Sequence, residues 1–331
     1  APPRARPDGW RAARACRARA AGASLPRMSR LVVLDGATLN PGDLSWDALA
    51  SQVDEFEVHA RSAPEQTVAR LQRAELALTN KVRIGRETLD ACPRLRFIGV
   101  LATGYDVIDT AAAAERGVVV SNVPAYGTDS VVQWVWAVIL WFGHRMAEHA
   151  AAVRNGRWQS NPDFCFYDGR LREFAGGTLG VVGFGRIGQA VARVGHALGM
   201  RVLVATRTRR ECDIPVEFVD LDRLFAGADV VSLHCPLTPE TRRLVDAGRL
   251  ASMKDGALLV NSGRGPLVVE RDVAAALASG RLGGFAADVL CDEPPRAGSP
   301  LLAAPNCMVT PHLAWATLEA RQRLLDITAR N

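Results

Sequence analysis

The stretch TLGVVGFGRIGQA, residues 178–190, constrains the fold of this chain more than any other. Within it, an apolar run suited to a buried strand is followed by a glycine turn and then by a periodic segment suited to a helix. The turn contains three glycines with GxGxxG spacing, Gly183, Gly185 and Gly188. A strand, a glycine turn and a helix in this order form the binding site for a dinucleotide pyrophosphate.

Each part of this stretch has a separate task in that hypothesis. Gly183 permits the tight turn, Gly185 lets the backbone approach the phosphates, and Gly188 allows close packing of helix and strand. Arg186 and Ile187 open the helix, whose N-terminal N–H groups and dipole favour an anion. The alternative is an ordinary glycine-rich turn in an α/β protein.

The composition of the 331 residues fits a globular protein with two domains. The net charge of +5 is concentrated in residues 1–30, where eight arginines and one aspartate give +7, so the remaining residues sum to −2. This mildly acidic body argues against a nucleic-acid partner. No apolar run reaches the roughly 18 residues of a membrane span. The seven cysteines lack CxxC or metal-ligand spacing, which favours reduced thiols in the cytoplasm and no metal.

The arginine- and alanine-rich start, residues 1–27, is excluded from the fold and expected to be disordered. It superficially resembles a transit peptide, but it lacks the hydrophobic core of a secretory signal. Because Met28 directly precedes the first strand, we interpret it as the natural start.

Short strands alternate with helical segments from residue 31 to 120 and again from residue 178 onward, which predicts parallel sheets covered on both faces. Between the two series, one long helix is expected from about residue 129 to 153. It is apolar around much of its circumference, so a flank should be buried between domains or subunits, the alternative being a plain core helix. Residues 155–175 are expected to form a long loop.

The end of the strand at residues 201–205 indicates which nicotinamide dinucleotide is preferred. An acidic residue at this point holds the ribose hydroxyls of NAD, but here the strand runs into Thr206 and then RTRR. Because a guanidinium binds a 2′-phosphate bidentately, NADP(H) is favoured and NAD(H) is the alternative. Arg207 is the first candidate for this contact and Arg209 or Arg210 the second. The other interpretation is a solvated basic loop.

Three later segments end predicted strands with reactive side chains: NSGRG at 261–265, DVLCDEP at 288–294 and TPH at 310–312. Ligands of open α/β sheets lie outside the carboxyl ends of the strands, so the three segments should face one crevice. Arg264 suits a substrate carboxylate, His312 suits proton transfer, and Glu293 suits holding the imidazole in its protonated form. Taken singly, His312 fits a structural role better than a catalytic one, and Arg264 fits an ordinary salt bridge equally well.

Together with VVGFGRIG at 181–188 and HCPLTPET at 234–241, these segments resemble the D-isomer-specific 2-hydroxyacid dehydrogenase family. The resemblance extends from Leu31 to about Arg323 and is greatest to the glycerate dehydrogenase/hydroxypyruvate reductase group. It implies that Arg264, Glu293 and His312 are the catalytic arginine, glutamate and histidine. It places Arg264 and His312 at the substrate, together with the backbone of Ala102, Thr103 and Gly104. Along the cofactor it places His234, Cys235, Pro236, Thr241, Ser262 and Asp288, the last accepting from the nicotinamide carboxamide.

The resemblance also implies an α/β fold of two doubly wound parallel-sheet domains. A flavodoxin-like substrate domain would be discontinuous, residues 28–124 and 311–331, with an NAD(P)-binding Rossmann domain, residues 125–310, inserted in it. The expected activity is NAD(P)H-dependent interconversion of a small 2-keto acid, such as hydroxypyruvate or glyoxylate, and its D-2-hydroxy acid, in a homodimer. Two alternatives remain: a formate- or phosphite-type dehydrogenase of the same fold, and a nucleotide-sensing, corepressor-like dimeric scaffold.

Overall fold

The computed structural model describes residues 30–331, which divide into two compact units. The first contains the described residues up to Val123 and also Leu325–Asn331, and the second is Pro124–Leu324. The chain returns to the first unit later than the expected residue 311, because residues that follow it are hydrogen-bonded to Asp288 of the second unit. The expected disordered extension, residues 1–27, lies outside the described residues.

The first unit is built on a five-stranded parallel sheet with the order β2-β1-β3-β4-β5. Its strands are β1 Arg30–Val33, β2 Glu55–Val58, β3 Leu76–Thr79, β4 Phe97–Val100 and β5 Val119–Asn122. Its connecting helices are α1 Asp47–Ala50, α2 Pro64–Leu71, α3 Arg86–Ala91 and α4 Thr110–Glu115. The central strands are buried on both faces, as their continuous apolar runs require.

Asp35 occupies the point of this sheet where the strand order changes direction, between β1 and β3. Its carboxylate accepts hydrogen bonds from three successive amides after β3: Asn80 N at 2.8 Å, Lys81 N at 2.6 Å and Val82 N at 3.2 Å. Successive amides of this kind form an anion-binding concavity. In the first unit, a side chain of the protein itself supplies the anion.

The second unit contains a seven-stranded parallel sheet with the order β12-β11-β10-β9-β6-β7-β8. Its strands are β6 Thr178–Val182, β7 Arg201–Ala205, β8 Glu217–Phe218, β9 Val230–Leu233, β10 Ala257–Asn261, β11 Leu282–Ala287 and β12 Cys307–Val309. Its helices are α5 Thr128–His144, α6 Met146–Arg154, α7 Arg186–Ala197, α8 Leu221–Gly227, α9 Ala247–Ser252, α10 Glu270–Ala278 and the start of α11 Leu318–Arg330. Two doubly wound parallel sheets confirm the predicted fold class.

Helix α5 packs across α7 and so supports the glycine turn that precedes α7. The indole N–H of Trp136 donates to the carbonyl of Val191 at 3.2 Å. Gly195 makes this approach possible, because a Cβ at that position would lie 3.1 Å from the Trp136 ring and 2.6 Å from Leu179 of β6. The close contacts at Gly195 therefore hold α7 against β6, the strand that leads into the glycine turn.

The single helix expected from residue 129 to 153 is wrong, because the chain breaks at Arg145. This residue has a left-handed backbone with φ of 48° and separates α5 from α6. The break coincides with a change of environment: half of α5 is buried, whereas α6 has no buried residue. The loop expected over residues 155–175 contains no helix or strand, as predicted.

Candidate active site

The glycine turn lies between β6 and β9, at the point where the strand order of the second sheet reverses. Gly183 has φ of 91°, and a Cβ there would lie 2.6 Å from the amide nitrogen of Cys235. A Cβ at Gly188 would lie 2.1 Å from the carbonyl oxygen of Gly183. Gly185 differs from both, because a Cβ there would meet nothing within 4 Å. Two glycines therefore serve packing, and the third faces open space at the helix N-terminus.

Helix α7 begins directly after Gly185 and presents unbonded amides to that space. The first hydrogen bond of the helix is donated by Gln189 N to Gly185 O at 3.0 Å, so the amides of Arg186, Ile187 and Gly188 precede the hydrogen-bond ladder. Such amides, with the positive end of the helix dipole, attract phosphate. The predicted pyrophosphate site therefore has the backbone geometry that it requires.

The tip of β7 is basic and exposed, as the sequence indicates. The hydroxyl of Thr206 donates to the carbonyl of Thr208 at 3.2 Å, which closes a tight turn after the strand. The guanidinium of Arg209 lies over the ring of Phe218, 5.3 Å from its centroid. Arg207 lies close enough to Glu240 to contribute, after the hydrogen bond from Thr238, to lowering the pKa of that carboxyl.

The residues after β9 pack behind the glycine turn. The imidazole Nε2 of His234 lies 2.8 Å from the hydroxyl of Ser232, and burial lowers the pKa of His234 to about 4. Burial also raises the pKa of the Cys235 thiol to about 11, so both side chains are neutral near pH 7. Thr241, predicted to lie along the cofactor, donates its hydroxyl to the carbonyl of Pro236 at 2.7 Å. This hydrogen bond stabilises the conformation of the loop that follows β9.

The end of β10 carries Ser262 and Arg264 on a turn held by Asn261. The amide Nδ2 of Asn261 donates to the carbonyl of Arg264 at 2.9 Å, and its Oδ1 accepts from Gly263 N at 3.1 Å. The guanidinium of Arg264 donates to the carbonyl of Gly263 at 2.8 Å. The hydroxyl of Ser262 is buried and has no hydrogen-bond partner within the described chain. A buried hydroxyl of this kind requires a ligand or water as partner.

Asp288 follows β11 and binds the loop that carries His312. Its Oδ1 accepts from the hydroxyl of Thr310 at 2.6 Å and from Leu313 N at 2.8 Å, while its Oδ2 accepts from Ala314 N at 2.8 Å. Burial raises the pKa of Asp288 against the opposing effect of these hydrogen bonds. Because Oδ1 already accepts two bonds, only Oδ2 retains capacity for the carboxamide contact expected of Asp288.

His312 and Glu293, predicted from separate strand ends, are in direct contact. The imidazole Nδ1 of His312 lies 2.6 Å from Oε2 of Glu293, and Oε1 of Glu293 accepts from Leu290 N at 3.0 Å. His312 has a left-handed backbone with φ of 54°, and its amide donates to Thr310 O at 2.9 Å. A carboxylate on Nδ1 fixes the orientation of the imidazole and leaves Nε2 as the atom that can exchange a proton with a substrate. The neighbouring carboxylate, Asp292, instead pairs with Arg296 at 3.2 Å.

The predicted substrate loop, Ala102, Thr103 and Gly104, follows β4 in the first unit. The carbonyl of Ala102 accepts from Val123 N at 3.0 Å, and the hydroxyl of Thr103 donates to Val123 O at 3.0 Å. The loop therefore has a defined conformation at the carboxyl edge of the first sheet.

Comparison with known families identifies the chain. A sequence profile described as the NAD binding domain of D-isomer specific 2-hydroxyacid dehydrogenase matches residues 136–314, more than half of the protein. The matched range contains the glycine turn and Arg264, Glu293 and His312. The chain belongs to the D-isomer specific 2-hydroxyacid dehydrogenase family.

Individual relatives agree with this assignment. The chain is 44% identical over 307 residues to the hydroxypyruvate reductase of Blautia hydrogenotrophica, covering 91% of this chain and 95% of that protein. It is 39% identical over 292 residues to the glycerate dehydrogenase of Methylorubrum extorquens, covering 86% and 91%. Among solved structures, it is similar to the NADPH-dependent glyoxylate/hydroxypyruvate reductase of Sinorhizobium meliloti in complex with NADP and malonate. That structure is 27% identical, with a TM-score of 0.78 and 92% coverage of both chains.

This dehydrogenase is therefore an oxidoreductase that interconverts 2-keto acids and D-2-hydroxy acids with a nicotinamide cofactor, near the glycerate dehydrogenase/hydroxypyruvate reductase group. Its residues fit such a cofactor: the space beside Gly185 would be filled by a Cβ, the first amides of α7 are available to phosphate, and Ser262 has an orphaned buried hydroxyl. These features fit the phosphates and polar groups of a dinucleotide.

Two aromatic residues of the dehydrogenase site were not predicted from the sequence. The indole N–H of Trp315 donates to the carbonyl of His312 at 2.8 Å and so supports the left-handed histidine. Tyr126 packs edge-on against Trp315, with ring centroids 6.0 Å apart, and lies near Arg264. Burial raises the pKa of Tyr126, with Arg264 opposing the rise. The signal for Trp315 was its position three residues after His312, in the same turn.

The described part of the dehydrogenase lacks the features of two other kinds of site. Over residues 30–331 we find no group of three or more His, Cys, Asp or Glu side chains arranged to hold a metal ion. In the same range, no helix combines the length and apolar character needed to cross a membrane.

Proposed function

We propose that this dehydrogenase is an NADPH-dependent reductase of hydroxypyruvate or glyoxylate, working in the cytoplasm. The observation that carries the proposal is the 2.6 Å contact between His312 and Glu293, because it orients the imidazole as a proton donor to the substrate oxygen. A formate-type oxidation needs no such donor. The substrates are those that the relatives are named for, and Arg264 supplies a cation for their carboxylate.

In this mechanism, Arg264 binds the substrate carboxylate and stabilises charge that develops on the carbonyl oxygen. The amides of Thr103 and Gly104 are proposed as backbone donors to a substrate carboxylate. Protonated His312 delivers the proton from Nε2 to the developing alkoxide, while Glu293 keeps the imidazole oriented. When bound, the nicotinamide supplies or accepts the hydride at the carbon that changes oxidation state.

The preference for NADPH follows from the tip of β7. No carboxylate stands there to repel a 2′-phosphate, and Arg209 is engaged with the ring of Phe218. Arg207 is therefore the stronger candidate for the 2′-phosphate, and Thr206 is placed to contact the adjoining ribose. Glu240, which follows β9, is near enough to Arg207 to interact with it electrostatically and so tempers the positive charge there.

A kinetic panel tests the substrate and the cofactor together. We expect kcat/KM to be highest with hydroxypyruvate or glyoxylate, and higher with NADPH than with NADH. In Arg207→Ala the preference for NADPH should fall by about tenfold or more, whereas Arg209→Ala is the matched control and should largely retain it. Absence of turnover with every 2-keto acid and both cofactors would overturn the proposed activity. A higher kcat/KM with NADH in the unmodified enzyme would overturn the cofactor preference alone.

We also propose that the enzyme forms a homodimer through the second unit. The segment after α6 exposes several large apolar side chains, Trp158, Phe164, Tyr167 and Leu171. Large exposed apolar side chains concentrated in one segment are consistent with an interface. Sedimentation velocity at micromolar concentration tests the proposal, with a single monomeric species as the contrary result.

A further inference from the structure

The end of β5 holds the loop that follows β4. The two strands pair in parallel with Val100 opposite Asn122, so the residues after β4 run beside the last residues of β5. The loop after β4 contains Thr103 and Gly104, and the chain after β5 leaves the first unit at Val123. The predicted carboxylate-binding loop and the end of the first unit are therefore neighbours along one sheet edge.

Three hydrogen bonds join these neighbours. The side-chain amide of Asn122 donates from Nδ2 to the carbonyl of Thr103 at 2.6 Å. The amide of Val123 donates to the carbonyl of Ala102 at 3.0 Å, and the hydroxyl of Thr103 donates to the carbonyl of Val123 at 3.0 Å. The donor of the Asn122 bond is a side chain, so a substitution at residue 122 can remove this bond without altering the backbone.

The direction of these bonds determines where the loop amides point. In a planar trans peptide the N–H lies opposite the C=O. Because the carbonyls of Ala102 and Thr103 face β5, the N–H groups of Thr103 and Gly104 face away from it. Neither amide donates to a backbone carbonyl in the described chain. Two adjacent amides aimed the same way form a small concavity for an anion.

We propose that Asn122 is a positioning residue that sets the orientation of the Thr103–Gly104 peptide and thereby the affinity for the substrate carboxylate. This inference rests on the proposed function, in which the loop receives that carboxylate. Without the Asn122 bond, the Gly104 peptide can rotate, because glycine restricts the backbone little. The two bonds of Val123 still form, so the loop stays folded, but they open more often and one of the loop amides loses its direction.

The test compares Asn122→Ala and Asn122→Asp with Asn40→Ala. Asn40 is the matched control, because its Nδ2 donates to the carbonyl of Leu44 at 2.7 Å in the same unit, far along the chain from the loop. At saturating NADPH we expect KM for the 2-keto acid to rise about three- to tenfold in Asn122→Ala, the effect of one hydrogen bond. The rise should be larger in Asn122→Asp, whose carboxylate repels the Thr103 carbonyl. The Kd of NADPH should match that of Asn40→Ala, and the melting temperature should be no lower, because Asn40→Ala also loses the bonds that Asn40 Oδ1 accepts from Gly42 N and Leu44 N.

A second readout separates this inference from the proposed function. Hydrogen exchange of the Val123 amide, which donates to Ala102, should be faster in Asn122→Ala and unchanged in Asn40→Ala. If the unmodified enzyme reduces 2-keto acids but the Asn122 variants leave KM unchanged, the positioning role is wrong. If no 2-keto acid is reduced while Val123 exchange still accelerates, the proposed function fails and the structural coupling stands. Unchanged exchange together with unchanged KM overturns the inference entirely.

Discussion

The imidazole of His312 and the carboxylate of Glu293 form a 2.6 Å hydrogen bond although they follow different strands of the second sheet. The carboxylate is itself oriented, because its other oxygen accepts from Leu290 N. Asp292, the adjacent acidic residue, turns outward and pairs with Arg296. Of the two adjacent carboxylates at residues 292 and 293, geometry therefore selects the second as the partner of the histidine.

Replacing Glu293 with glutamine should lower kcat by about 100-fold, because the amide keeps the shape of the carboxylate without its charge on the imidazole. The Kd of NADPH should change by less than twofold. The matched control is Asp292→Asn, which loses only an exposed ion pair and should retain kcat. Steady-state kinetics and cofactor fluorescence measure both quantities, and equal losses in the two variants would contradict the assignment.

Alanine substitution at two glycines of the turn should affect different properties, stability at Gly183 and NADPH affinity at Gly185. In Gly183→Ala the methyl group meets the backbone of Cys235 at a left-handed position, so the free energy of unfolding should fall by about 2–4 kcal/mol. In Gly185→Ala the methyl group enters open space, so unfolding should be unaffected while the Kd of NADPH rises tenfold or more. Chemical denaturation and cofactor titration distinguish the two. Unimpaired NADPH binding by Gly185→Ala would remove that glycine from the phosphate site.

Trp315→Phe tests whether the indole N–H supports His312. Phenylalanine preserves the packing against Tyr126 but cannot donate to the His312 carbonyl, so kcat should fall about three- to tenfold with little change in the Kd of NADPH. Trp46→Phe is a suitable control, because Trp46 packs against Phe56 in the first unit. A kcat equal to that of the unmodified enzyme would show that the left-handed histidine needs no such support.

His234 should make stability depend on pH in the acid range. Its pKa is lowered by burial to about 4, whereas an unfolded histidine titrates near 6.5. Between these values the unfolded chain binds one proton more, so stability is lost as the pH falls from about 6.5 to 4, by at most about 3 kcal/mol. His234→Gln should flatten this part of the profile, and the exposed His196→Gln should not. Denaturant unfolding measures the free energy of unfolding of the unmodified enzyme, His234→Gln and His196→Gln across that pH range. The prediction is wrong if this free energy depends on pH in the same way in all three proteins.

Much of the fold followed from local patterns. The glycine spacing around Gly185 predicted a strand, a turn and a helix in that order. Parallel strands bring their carboxyl ends to one edge of a sheet, so Glu293 and His312 could be expected to lie close together. The break of the long helix at Arg145 could not be predicted in this way. Its residues suit a continuous helix, and the end of α5 is set by what the helix buries.

The supporting contacts of the site were also beyond sequence reasoning. The hydrogen bond between Trp315 and His312 depends on the left-handed φ of His312, which no local sequence pattern predicts. The three bonds accepted by Asp288 depend on the path of the chain after β12. The residue types at the strand ends therefore indicated the chemistry of the site. The hydrogen bonds that orient those side chains could be identified only from the structure.

The carboxylate of Asp35 gives the two sheets different capacities for nucleotide. Both have a crevice where the strand order reverses, and in the second the first amides of α7 remain available. In the first, the amides of residues 80–82 are already neutralised by an internal negative charge, which would repel phosphate. Each chain should therefore bind a single dinucleotide at saturation despite containing two nucleotide-type architectures.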